Sequence, residues 1–464
     1  MLRLCVDAKS TRGKLVTTGE AVLNKIAQVG AEKMTRTRWT VLAVLFFITV
    51  INYADRATIS IAGPAIAKEL GLDAIDMGYV FSAFGWAYVA AQLPGGWLLD
   101  KFGSKKVYAI SIFVWSLFTL LQGAVGFFTG ALALVILFAL RFCVGAAEAP
   151  SFPANSRIVA AWFPANERGT ASAIFNSAQY AATVIFAPLM GWLVHSFGWH
   201  YVFSVMGVLG LIFVFIWNKF VYAPRQHPSI NNAELEYIAA GGALVNLDQQ
   251  AKGEKTEGPN LKYIKQLLQN RMMVGIYIAQ YCINALTYFF ITWFPVYLVQ
   301  ARGMTILKAG FVASIPAVCG FIGGILGGII SDWLLRKNFS LTVARKVPIV
   351  LGMLLSMSII VCNYTDDSVM VVFFMALAFF GKGVGALGWA VNSDTAPKQI
   401  AGLSGGIFNT CGNISSITTP IAIGYIVGVT GSFNGALVYV GIHAFIAAFS
   451  YLVVVGEIKR VELE

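Results

Sequence analysis

The chain has 464 residues, of which 58% are hydrophobic and 12% charged, with a mean hydropathy of +0.72, against roughly 25% charged residues in a soluble domain. This composition excludes a water-soluble globule, because too few polar residues remain to form a hydrated shell. Lys and Arg exceed Asp and Glu by 33 − 22 = 11, and the placement of these charges in loops between apolar segments excludes a nucleic-acid partner in favour of membrane topology.

Twelve apolar stretches are long enough to cross ~30 Å of hydrocarbon, and the predicted fold class is an all-α membrane protein. The stretches run at 39–60, 77–99, 107–127, 130–152, 170–194, 201–222, 272–298, 308–330, 347–364, 368–390, 402–428 and 433–455. An even number places both termini on one side. Lys101, Lys105 and Lys106 follow span two, Arg157 and Arg168 follow span four, and Arg336, Lys337, Arg345 and Lys346 follow span eight. By the positive-inside rule these loops and both termini are cytoplasmic. Opposite loops carry Asp366 and Asp367 and little basic charge. The predicted layout is a cytoplasmic tail 1–38, a six-span unit 39–222, a cytoplasmic linker 223–270, a second six-span unit 271–456 and a cytoplasmic tail 457–464. The first 38 residues lack the long apolar core of a signal peptide and read as a flexible tail, with Met34, just before TRTRW, as an alternative start.

The six cysteines, at 5, 143, 282, 319, 362 and 411, and the four histidines, at 195, 200, 227 and 443, form no paired or ligand-like spacing. The expectation is therefore no disulfide, no metal and no cofactor. No phosphate-binding loop, dinucleotide fingerprint or nucleophile elbow stands in a strand-turn-helix context, so the chain is not expected to be an enzyme.

The two halves repeat a signal. GGWLLDKFGSKK closes span two and GGIISDWLLRK closes span eight, so a Gly-x3-Asp pattern recurs, pointing to internal duplication and a pseudo-two-fold axis along the membrane normal. GGWLLDKFGSKK also resembles the loop signature of the major facilitator superfamily, with Ser104 where a basic residue is common, and Arg141-x3-Gly145 resembles its second signature. NYADRATISIA, MGYVFSAFGWAY and EAPSFPANSRIVAAWFPANERGTA resemble the anion:cation symporter family and its bacterial sugar-acid permeases. FNSAQY, ITWFPVYLVQARGM, FFGKGVGALGW and GSFNGALVYVG are similar to those of D-glucarate/galactarate permeases. The resemblance covers the chain from about Met34. It implies two six-helix bundles, alternating access, an inner-membrane location and a functional monomer in contact with membrane lipid. Its gating loops map onto Gly96, Asp100, Gly103 and Asp332, with Asp100 clamping one bundle against the other, though both loops also read as plain tight turns. In span five the chain has APLMGW, keeping Pro188 and Gly191 but not the flanking glycines of the antiporter pattern, which favours symport.

Ionisable residues within a span are costly, at least ~2.5 kcal/mol on insertion scales, and mark function unless they snorkel from a helix end. Asp55, Arg56, Arg141 and Glu148 are such residues in the first half. Arg141 and Glu148 lie seven apart on one helical face, about 10 Å along the axis. Asp55 and Arg56, as neighbours, diverge by about 100° and each needs another partner. The resemblance makes Asp55 and Glu148 the proton-coupling pair and leaves Arg56 and Arg141 free to bind an anion. Tyr53, Tyr79, Gln179 and Asn409 supply hydrogen bonds for a polyhydroxylated substrate, or alternatively join helices; Asn392, Ser393 and Thr418 are secondary candidates. Lys382, between Gly381 and Gly383, is assigned to a second carboxylate, the alternative being a snorkelling side chain.

The function expected is proton-coupled import of a sugar-acid anion, foremost the diacids glucarate and galactarate. The rivals are a symporter of a monoanionic hexuronate or aldonate such as galactonate and, from another class, a transport-inactive membrane receptor.

Overall fold

The computed structural model describes residues 33–164, 167–247, 261–397 and 400–462. The regular structure among them is helical throughout. Twelve long helices follow one another: α1 (Thr37–Leu70), α2 (Ala74–Phe102), α3 (Ser104–Phe127), α4 (Gly130–Trp162), α5 (Arg168–Phe197), α6 (Trp199–Phe220), α7 (Arg271–Gln300), α8 (Ile306–Arg336), α9 (Leu341–Tyr364), α10 (Ser368–Thr395), α11 (Leu403–Thr430) and α12 (Asn434–Val454). Eleven of them are long and apolar enough to cross a membrane. The remaining one, α2, is 29 residues long, ample for the crossing at 1.5 Å per residue, but Tyr79, Trp86, Tyr88, Gln92 and its glycines lower its hydropathy. The predicted first 32 residues of the N-terminal tail lie outside the described residues.

The helices outrun the predicted spans because a hydropathy window sees only the lipid-facing portion. α1 continues to Leu70, where Gly71 ends it in the left-handed conformation at φ 70°, a backbone state that glycine adopts without a steric penalty. Asp73 then starts α2 by a reciprocal cap: its carboxylate accepts from the Asp76 amide at 2.8 Å, and its own amide donates to Asp76 Oδ2 at 3.2 Å, satisfying donors that a helix start leaves open.

The helices pack as two six-helix bundles, α1–α6 and α7–α12, with matching neighbours: α2 on α4 and α3 on α6 in one, α8 on α10 and α9 on α12 in the other. Small residues set these crossings. A methyl on Gly95 would meet Pro150, and one on Gly145 would strike the Phe84 carbonyl; in the second bundle Gly327 and Gly323 stand likewise against the Val384 and Phe380 carbonyls. Large side chains such as Ile110, Phe215, Leu351 and Leu452 face outward, as lipid contact requires.

The bundles meet at the end away from the termini. Gly78 of α2 lies against Pro420 and Gly424 of α11, and Gly191 of α5 faces Gly310 of α8. In each crossing, a side chain would wedge the helices apart.

Two helices break at corresponding places. α4 is interrupted between Glu148 and Ser151, at Ala149–Pro150, where Pro150 has no amide to donate. α10 is interrupted between Val384 and Gly388. A π-turn at Phe289–Trp293 marks the middle of α7. After α6 the chain folds back along the first bundle, with Leu244 N bonding the Ala160 carbonyl at 2.9 Å. There Glu234, fully buried, accepts from the Thr37 and Arg38 amides at 2.9 and 3.2 Å, capping the start of α1 with a negative charge. After α12 the chain does the same to the second bundle: Val461 N bonds the Thr395 carbonyl at 2.8 Å, and Arg460 donates to the Ala396 carbonyl at 2.7 Å.

Candidate functional site

The first bundle holds a buried knot of charge where α1 crosses α4. Arg56 Nε donates to Glu148 Oε2 at 2.9 Å, with the two side chains 6% and 0% exposed. The rings of Tyr53, Phe84 and Tyr88 surround the guanidinium at 4.9, 4.6 and 4.8 Å, adding cation–π attraction to the ion pair. Two turns before Glu148, Arg141 donates from Nη1 to the Asp55 carbonyl at 3.3 Å. Satisfaction stops there. Both carboxylate oxygens of Asp55, Glu148 Oε1, Arg56 Nη2 and Arg141 Nε are buried without a hydrogen-bond partner among the described residues. Such groups are expensive to bury, and each retained one calls for an explanation in function.

In this structure Arg56 is engaged by Glu148. The geometry of neighbouring positions denies it Asp55 but allows Glu148, which lies at the last helical residue before the α4 break.

The second bundle presents an uncharged polar face. Gln280 donates to Asn284 Oδ1 at 3.3 Å, Tyr288 OH donates to Asn413 Oδ1 at 2.9 Å, and Asn413 Nδ2 donates to the carbonyl and Oδ1 of Asn409 at 2.9 and 3.0 Å. Gly388 and Gly412 make room for Gln280 and Asn284. Of this face only Asn409 was singled out in the sequence. The signal for the rest was present: Gln280, Asn284 and Tyr288 stand at i, i+4 and i+8 on one side of an otherwise apolar span. Tyr288 lies within electrostatic range of Arg56 and Glu148, so the charged and amide faces converge.

Between the bundles a cleft is lined by Tyr53, Gln179, Tyr180 and Thr183 from the first and by Thr287, Phe290 and Phe379 from the second. Gln179 spends its amide on the Asn176 carbonyl at 3.2 Å. Lys382 borders this region. It is 5% exposed, with Nζ 5.1 Å from the Phe379 ring centre and 5.7 Å from that of Tyr180. Its ammonium is therefore held between aromatic faces of both bundles and does not snorkel to a surface.

Tyr53, Asp55, Arg56, Arg141 and Glu148 thus form one cluster, Asn409 faces it through Asn413 and Tyr288, and Gln179 and Lys382 border the cleft. Tyr79 lies apart. It is 38% exposed and its hydroxyl meets that of Tyr425 at 2.9 Å, across the closed end where α2 crosses α11. The loop residues also lie apart, at the terminus-bearing end. Asp100 pairs with Arg157, a residue of its own bundle, so it does not clamp one bundle to the other here. Gly103 has a φ of 81° and is required by backbone conformation, whereas a side chain at Gly96 would meet nothing; the preceding Gly95 is the one that packs. Asp332 makes no ion pair among the described residues. In its bundle Arg345 instead pairs with Asp394 at 2.8 Å and bonds Ser331 at 2.9 Å.

The family profile of the Major Facilitator Superfamily matches residues 45–345. The chain is 68% identical over 441 residues to the Probable galactarate/D-glucarate transporter GudP of Escherichia coli (strain K12), covering 94% of this chain and 98% of that protein. It is 67% identical to the protein of the same name from Bacillus subtilis (strain 168), over 94% and 95% of the two chains. It is 43% identical to the D-galactonate transporter of Escherichia coli O6:H1, over 93% and 99%. Among solved structures, the D-xylose-proton symporter superposes with a TM-score of 0.71 at 15% identity, over 91% of this chain and 98% of that one.

Proposed function

Since the chain belongs to the major facilitator superfamily and is a transporter rather than an enzyme, we propose that it is a proton-coupled importer of sugar-acid dianions, galactarate and D-glucarate foremost. The observation that carries the mechanism is the buried Arg56–Glu148 ion pair. With Glu148 ionised, the guanidinium is engaged and a substrate carboxylate has to compete for it. Protonating Glu148 removes the competing charge, so Arg56 and Arg141 together can hold one carboxylate in bidentate fashion. Proton and anion then favour each other's binding, which is thermodynamic coupling in its simplest form. Loss of the proton lets Glu148 retake Arg56 and expel the anion.

Asp55, beside Arg141 and without a hydrogen-bond partner, is the second proton carrier in this reading. A dianion entering against a potential negative inside meets about 2.3 kcal/mol per charge per 100 mV, and two protons cancel that opposition. Tyr53, Gln179 and Asn409, together with Gln280 and Asn284, serve the hydroxyls. Lys382 takes the distal carboxylate, an assignment favoured by its lack of any competing acidic partner among the described residues. The basic loops favour a terminus-bearing end in the cytoplasm, with the protein in the inner membrane. The glycine-sealed end then faces outward, and the ion pair belongs to the state after release. One chain houses the whole path, so the monomer is the transport unit. The rival substrate, a monoanionic aldonate, is prompted by the D-galactonate transporter; it leaves Lys382 without work.

Uptake into proteoliposomes under an imposed pH gradient tests the reading. Accumulation of galactarate or D-glucarate above equilibrium, collapsed by a protonophore, is expected; preferential accumulation of galactonate favours the rival, and accumulation of none of them overturns coupled sugar-acid import.

A further inference from the structure

Buried polar atoms without protein partners are concentrated in the first bundle, and several continue from Glu148 toward the terminus-bearing end. On α4, Glu148, Ser151 and Asn155 stand at i, i+3 and i+7, one face of the helix, and Arg157 follows two residues after Asn155, about 14 Å from Glu148 along the axis at 1.5 Å per residue. Ser151 Oγ and Asn155 Oδ1 have no hydrogen-bond partner. Facing them from α3 is Tyr108, with 0% exposure, whose hydroxyl lies beside Ser151, Thr49 and Asn155 but makes no hydrogen bond of good geometry among the described residues. From α1, Asn52 lies beside Glu148 with neither amide atom in a hydrogen bond of good geometry among the described residues, and Thr49 Oγ1 accepts from Asn155 Nδ2 at 3.0 Å. At the far end of the row, Ser104 accepts from Arg157 Nε at 3.3 Å, and Arg157 pairs with Asp100, which is 54% exposed.

A hydroxyl or amide buried without a partner costs about 1–3 kcal/mol, so a row of them is retained only where something polar binds. Their closeness to one another suits water, which needs two to four polar partners. The cleft lies elsewhere, lined by Gln179 and Thr287.

We propose that Asn52, Ser151, Tyr108, Asn155 and Thr49 form a water-binding row inside the first bundle that carries the proton of Glu148 to the cytoplasmic face at Asp100, along a route separate from the cleft by which the anion leaves. This rests on Glu148 being a proton carrier. The step is a proton transfer alone. The O–H bond of the Glu148 carboxylic acid breaks, its electrons stay on the carboxylate that retakes Arg56, and the proton passes through water and hydroxyl oxygens to bulk solvent. Separate exits allow the proton to leave without waiting for the anion to clear the cleft.

Radiolytic hydroxyl-radical footprinting of the intact protein tests the water directly. Tyr108 is expected to oxidise despite its burial, while Trp293, equally buried but donating to the Pro420 carbonyl at 3.1 Å, stays unmodified; an unmodified Tyr108 overturns the proposal. Transport supplies the second test. The double variant Tyr108→Phe/Ser151→Ala is expected to slow gradient-driven uptake of galactarate by about tenfold or more, in the range of a lost proton relay, and to leave galactarate counterflow unchanged. Full gradient-driven uptake by this variant, together with loss of it in Glu148→Gln, overturns the row but leaves the carrier standing. Full uptake in Glu148→Gln removes the carrier and the row with it.

Discussion

The broken helices α4 and α10 hold corresponding places in the two bundles, and each carries an ionisable residue just before its break: Glu148 in one and Lys382 in the other. Their surroundings are opposite. Glu148 lies in a knot of two arginines, a second carboxylate and many unpartnered polar atoms, whereas Lys382 lies against the faces of Tyr180 and Phe379 with no acidic partner among the described residues. A duplicated scaffold thus carries buried carboxylates and arginines in the first bundle and neutral amides, plus one cation, in the second. What the repeat preserves is the backbone: the glycine-lined crossings and the breaks recur, and the side chains at them do not.

The comparison can be broken most severely at Arg56. Arg56→Ala strands Glu148 and is expected to cost about 3–5 kcal/mol of stability, the penalty of a buried ion left alone, read as a fall in thermal unfolding temperature in detergent. Adding Glu148→Gln should restore much of it, and no recovery would mean that the aromatic packing, not the charge, was lost. Next, Glu148→Gln should lower gradient-driven uptake by about 100-fold or more while Asn409→Ala, the contrasting change in the second bundle, weakens substrate affinity and leaves the proton dependence intact. Equal loss of coupling in both would erase the division of labour.

Lys382→Asn sharpens it further. Affinity for a diacid should fall by about 1.5–3 kcal/mol, the worth of a hydrogen bond to a charged group, with a matched monoacid much less affected; competition assays on both proteins give the difference, and equal losses would reassign Lys382 to folding or gating. Gly310→Ala places a methyl 2.6 Å from the Ala187 carbonyl and should disfavour the sealed end by about 1–3 kcal/mol, seen as raised reactivity of a cysteine placed at the α5–α8 crossing. The smallest effect belongs to the loops. Asp332→Ala should change stability by no more than about 0.5 kcal/mol, as for an ordinary surface position, while Asp100→Ala, which removes an ion pair with Arg157, costs more.

The sequence made the helices legible because crossing lipid imposes length and hydropathy on each segment separately. It made the charge knot legible for a related reason: Asp55, Arg56, Arg141 and Glu148 conflict with their apolar context. Which of them pair was not legible, since Arg56 and Glu148 are 92 positions apart and only the α1–α4 crossing joins them. Gln280, Asn284 and Asn413 escaped notice because neutral amides cost little in a span and look like interhelical contacts, which some of them also are. Tyr79 was misplaced because helical periodicity reports the face of a residue but not its depth, and depth separates the site from the seal. The Asp332 loop misled by its likeness to the Asp100 loop, for in the second bundle the pairing has passed to Arg345 and Asp394.

The glycine crossings at the sealed end have a kinetic consequence. Gly78 against Gly424 and Gly191 against Gly310 bring backbone onto backbone, and such contact is held by dispersion, which loses a quarter to a half of its strength over a gap of roughly 0.5–1 Å. Partial opening there sacrifices up to half of the attraction before solvent can wet the surfaces. A half-open end is therefore disfavoured relative to the shut one, which predicts that opening, where it occurs, is abrupt and that leak through a partly open gate is small.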